Sequence, residues 1–154
     1  MKARTILASL GVFFAGVALV MAADAHMGTW KLNAAKSKFS PGAARNYTVV
    51  YEAAGDDVKV TVDGVDKDGK PTHNEWTGKF DGKDYPVTGD PSSDARSYTV
   101  VDDHTMKLIV KQGGKVTVSG SIVAAADGKS RTVKTSGTDP SGKKFSNTAV
   151  YDKQ

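Results

Sequence analysis

From Gly28-Thr29-Trp30 to Tyr151 the chain alternates apolar and polar residues in short segments, each closed by a turn-forming pair. In Arg45–Tyr51 the residues Tyr47, Val49 and Tyr51 fall on one side, with Arg45 on the same parity. Val58, Val60 and Val62 alternate with Lys59, Thr61 and Asp63, while Met106, Leu108 and Val110 alternate with Lys107, Ile109 and Lys111. Tyr98 and Val100, then Val116, Val118, Gly120 and Ile122, then Phe145, Asn147, Ala149 and Tyr151 repeat the pattern. A period of two marks a strand with one face toward a core. Thr29–Leu32, Thr72–Phe80, Asp84–Thr88 and Lys129–Thr138 bring the total to about ten strands. The turns Asp81-Gly82, Gly113-Gly114, Asp127-Gly128 and Ser141-Gly142 suit tight hairpins, which need positive φ. No segment between them has a helical period, and residues 33–44 hold at most one helical turn before Pro41-Gly42. The prediction is an all-β domain, a single antiparallel up-and-down barrel of about 8–10 strands. A barrel of that size either fills itself with side chains or holds one small ligand.

The N-terminus reads differently. Lys2 and Arg4 precede an apolar stretch from Ile6 to Met21, and Ala23-Asp24-Ala25 follows as a small-x-small cleavage site. That order predicts a secretory signal peptide over residues 1–25 and a barrel domain over 26–154, placed in the periplasm or secreted. The apolar run of about 16 residues is short for a bilayer span, so no membrane anchor is expected. The chain has no cysteine, which removes disulfide staples, thiolate chemistry and a lipidated N-terminal Cys. Beyond residue 25 nineteen basic residues face sixteen acidic ones, a net +3 without a concentrated basic face. Nucleic acid is not an expected partner. A monomer is expected.

Gly28-Thr29-Trp30 in the first strand, followed by an antiparallel meander, resembles the Gly-x-Trp opening of the calycins, the lipocalin and fatty-acid-binding-protein superfamily. The ending Thr148-Ala149-Val150-Tyr151-Asp152-Lys153 also resembles that of fatty-acid-binding proteins. Phe80-Asp81-Gly82-Lys83-Asp84-Tyr85-Pro86-Val87 is similar to a stretch of small exported bacterial proteins with the same strand pattern. The resemblance implies a barrel plugged at one end by Gly28 and Trp30, with a ligand inside. Two departures matter. Residues 33–44 are too few for the two-helix lid of fatty-acid-binding proteins, so no helical lid is expected. Their carboxylate-binding Arg-x-Tyr reads Ala149-Val150-Tyr151 here, and only the tyrosine carries over.

The candidate chemistry lies in a segregation of arginine from lysine. Sixteen lysines and only three arginines follow residue 25. Arg45, Arg96 and Arg131 share the parity of apolar neighbours near the start of their strands, whereas Lys59, Lys107, Lys111 and Lys134 take the polar parity. Guanidinium is weakly hydrated and grips carboxylate or phosphate with a planar fork, which suits a half-buried anion site. One reading places an anionic head at Arg96, Arg131 and Arg45, and its tail against Tyr47, Tyr98 and Tyr151. The other makes the arginines closures of a barrel end, with Arg131 packed across Trp30 as a late-strand arginine does in lipocalins. Trp76 reads as core.

Catalysis has little support. No Ser-His-acid order and no His-x-x-x-His spacing occurs, and the aspartates at 56–57, 63–68 and 102–103 sit in turns. His73 and Glu75 form a solvated pair, and His26 would chelate Cu(II) or Ni(II) only as the first residue of a chain cleaved after Ala25 or the third of one cleaved after Ala23. The expected function is non-catalytic binding of a hydrophobic or amphiphilic small molecule, with no cofactor and no metal. The alternative is a ligand-free structural or interaction module of the envelope, with a filled barrel and a lysine-rich outer surface.

Overall fold

The computed structural model describes residues 23–154. The signal peptide expected over 1–25 lies outside the described residues except for positions 23–25. Ten antiparallel strands close into one barrel, each bonded to its sequence neighbours and β1 to β10. They are β1 (Gly28–Leu32), β2 (Arg45–Ala54), β3 (Asp57–Val65), β4 (Pro71–Gly78), β5 (Tyr85–Thr88), β6 (Ala95–Asp102), β7 (Thr105–Gln112), β8 (Lys115–Ala124), β9 (Ser130–Thr138) and β10 (Lys144–Lys153). Closure leaves no strand edge to pair with another chain. The barrel is calycin-like and carries no helical lid among the described residues. In place of a lid, one 3-10 turn (Ala34–Lys36) leads into a segment tied along β10. Lys38 N–H donates to the Thr148 carbonyl at 2.7 Å, and Ser40 N–H to Asn147 Oδ1 at 2.8 Å.

Alternation puts Trp30, Val49, Tyr51, Val60, Val62, Trp76, Tyr98, Met106, Ile122 and Tyr151 inside. Burying a large side chain of this kind contributes about 1.5–3 kcal/mol, and no disulfide supplements it. The pleat slips at three places where the register shifts: between Asn46 and Thr48, between Val100 and Asp102, and between Val110 and Lys111. Each slip turns a side chain outward that simple alternation counts as inward or leaves off pattern. Tyr47, Val101 and Val116 are 45%, 53% and 51% exposed. A bulge shifts parity by one, and the period of two resumes beyond it. At the first slip Gly64 lies opposite, where a Cβ would overlap the Arg45 carbonyl. Only glycine lets the two backbones approach this closely.

Candidate functional site

The two ends of the barrel differ. At the end where β1 and β9 begin, residues 23–26 form one helical turn, with Met27 N–H bonded to the Ala23 carbonyl at 3.1 Å. His26 from this turn, Trp30 and Met106 are all fully buried, and Trp30 Nε1 donates to the His26 carbonyl at 2.9 Å. Gly28, at φ 102°, leaves room for the Lys153 side chain, whose ammonium lies 5.3 Å from the Trp30 ring centre. The Trp30 ring, His26 and Met106 fill this end of the barrel.

Above the plug lies a cavity of about 270 Å³, opening toward Phe39, Ala44, Asp90 and Ser92. Its wall mixes aliphatic side chains such as Val49, Leu108, Ile122 and Val133 and aromatic rings with polar groups that include Asn74, Arg96, Arg131 and Tyr151. A small set of convergent polar groups on an apolar wall is the usual composition of a ligand pocket, and the volume falls just below the common range of about 300–1,000 Å³.

Arg131 stands at the closed end of this cavity and is 2% exposed. Its guanidinium carbon lies 4.7 Å from the ring centres of Trp30 and Tyr51 and 5.3 Å from that of Tyr151, its direct cross-strand partner. Such contacts contribute on the order of 2 kcal/mol each when desolvated. Among the described residues no hydrogen-bond acceptor reaches Nε or Nη1. A buried cation with free donors and no carboxylate is costly unless something compensates it. Burial pushes the Tyr151 hydroxyl up to about 12, which keeps it a proton donor at neutral pH, and it donates to the Asn46 carbonyl at 3.0 Å. His26 is pushed down to about 4 by burial first and by the Arg131 charge second, and neither ring nitrogen has a partner among the described residues. It is therefore neutral at pH 7. In the described chain, which includes residues 23–25, it is interior.

Arg96 faces the cavity nearer the mouth and is partnered where Arg131 is not. Its Nη2 donates to Asn74 Oδ1 at 3.1 Å, and Nη1 lies 3.5 Å from the Tyr98 hydroxyl. Trp76 Nε1 donates to the Arg96 carbonyl at 2.8 Å, and the Trp76 ring meets Tyr98 edge-on at 4.8 Å, so Trp76 is core. Burial raises the Tyr98 hydroxyl as well.

Arg96, Arg131, Tyr98 and Tyr151 thus line one cavity, and Arg45 and Tyr47 do not. The bulge between Asn46 and Thr48 leaves Tyr47 exposed and sets Arg45 at the rim, its guanidinium 5.3 Å from the Phe39 ring. Nor do the arginines share a rim. Successive strands run in opposite directions, so the starts of β2 and β6 lie at the mouth and the start of β9 lies at the plug. Asn46 and Asn74 were missed as lining residues. Asn74 carried a signal, since it shares strand parity with Trp76 and a buried amide requires a partner. Asn46 carried none, because its inward turn depends on the bulge.

The sequence matches no known protein family, and no curated protein matches it. Among solved structures the chain is similar to EF1p2_mFAP2b bound to DFHBI, at 11% identity and a TM-score of 0.53. That likeness covers 88% of this chain and 99% of the other, and it supports the calycin-like barrel fold.

Proposed function

We propose that this protein binds, without catalysis, a small amphiphilic molecule whose anionic group meets Arg131 and whose apolar part fills the cavity toward the mouth. The observation that carries this reading is the buried Arg131 guanidinium at the closed end of the cavity, with no carboxylate beside it and with Nε and Nη1 unpartnered among the described residues. A carboxylate or similar anion would compensate the buried charge and accept from the guanidinium. EF1p2_mFAP2b, a barrel of similar fold, is bound to DFHBI, which supports the reading by fold analogy only. The one carboxylate in the wall, Asp90, is held by Ser92 and Ser93 hydroxyls at 2.7 and 2.6 Å, which favours binding over proton transfer. Export to the periplasm or medium, as a monomer, completes the proposal and rests on the leader-like N-terminus. The cavity counts against the alternative of a completely filled structural barrel.

Two measurements test this. Native mass spectrometry of the exported protein should show an adduct that denaturation releases. A fluorescent fatty acid should bind more tightly than its methyl ester, and Arg131→Met should abolish that preference with the far-UV circular dichroism unchanged. Equal affinity for acid and ester in the unaltered protein would reject an anion site at Arg131. Arg96→Met, alone and combined with Arg131→Met, separates the partnered arginine from the free one.

A further inference from the structure

The outer wall holds a second arrangement, independent of the cavity. On the outside of β3 and β4 the charges are matched: Lys59 with Glu75 at 3.0 Å, His73 with Asp63 at 2.6 Å, and Lys79, just past β4, with Asp57 at 2.6 Å. Strands β7, β8 and β9 contain no Asp or Glu at all. The single acid of β10, Asp152, is engaged by the Asn33 amide at 2.7 Å. Across this acid-free wall lies a shallow, open groove of about 430 Å³. Lys107, Ser121 and Lys134 stand in one row across it, paired strand to strand. Ile109, Ser119, Ser136 and Ser146 form the next row. Neither lysine has a carboxylate within salt-bridge reach among the described residues. Two strand spacings separate them, roughly 10 Å.

We propose that this groove binds an acidic polysaccharide. The serine rows both donate and accept, which matches sugar hydroxyls, and the two ammonium groups take carboxylates at intervals along the chain. Other polyanions fit less well. The closed barrel offers no edge for an extended peptide to join, the groove itself offers a membrane one large apolar side chain, Ile109, and no aromatic or arginine in the groove would stack a base.

Affinity electrophoresis through gels containing a uronic-acid polysaccharide tests this directly. The protein should be retarded, and Lys107→Gln with Lys134→Gln should weaken binding about tenfold or more while fluorescent fatty-acid binding inside the barrel stays unchanged. Lys59→Gln with Lys79→Gln on the opposite wall should leave retardation as it was. Absence of retardation would overturn the proposal, as would equal retardation of the groove variant. Equal binding to polyglutamate or to vesicles of anionic phospholipid would overturn it too, by showing charge attraction without recognition of sugar.

Discussion

The closed and open ends of the barrel each hold one buried arginine, and the two are built differently. At the mouth Arg96 is part of the wall: Asn74 and Tyr98 stand beside its guanidinium, and its own carbonyl receives Trp76. At the plug Arg131 has three aromatic faces around it and no acceptor for two of its donors. Aromatic faces compensate charge but leave N–H groups unsatisfied. The contrast puts the guanidinium with unsatisfied N–H groups at the closed end and the partnered one at the mouth.

Breaking the plug should have the largest effect. Trp30 is fully buried and joins His26, Arg131 and Lys153, so Trp30→Ala is expected to cost about 3–5 kcal/mol in denaturant unfolding. A loss below about 1 kcal/mol would show that the closed end is not held by this ring. Acid should act next, on the same end. His26 folds with its pKa lowered to about 4 from an ordinary 6.5. The stability that its neutral form contributes is therefore complete above the ordinary value and is lost as pH falls from there toward 4. The shift corresponds to roughly 3 kcal/mol. Unfolding measured between pH 7 and 4 should show this loss, and His26→Phe should flatten the curve. An unaltered curve in the variant would mean that protonation elsewhere drives acid unfolding.

The rim should give the smallest effect. Arg45→Ala removes an exposed guanidinium that rests on Phe39, and it should change stability by less than about 0.5 kcal/mol and leave fatty-acid affinity unaltered. A marked fall in affinity would extend the recognition site from the plug to the mouth and erase the contrast between the two ends.

The alternating pattern carried most of the fold. Val60 and Val62, Met106, Ile122, and Ala149 with Tyr151 all face inward as their parity requires, because the pleat is a property of each strand by itself. The site was legible only in part. Arg96, Arg131, Tyr98 and Tyr151 were readable as inward-facing from their strands, and all four line the cavity. Arg45 and Tyr47 had the same parity as Val49 and Tyr51, yet one extra residue before Thr48 reverses it. Nothing in Arg45-Asn46-Tyr47 announces that bulge. Its permissive residue, Gly64, lies on the neighbouring strand.

By itself, then, the sequence determined a cysteine-free, antiparallel, two-faced chain whose few arginines follow the apolar parity. Strand-local sterics and burial are enough for that. Tertiary structure decided which rim each arginine occupies, which one keeps free donors, and where a groove lined by unpaired lysines forms on the outer wall. Those features depend on strand direction, register and closure, and each of them arises only when residues far apart in sequence meet across the barrel.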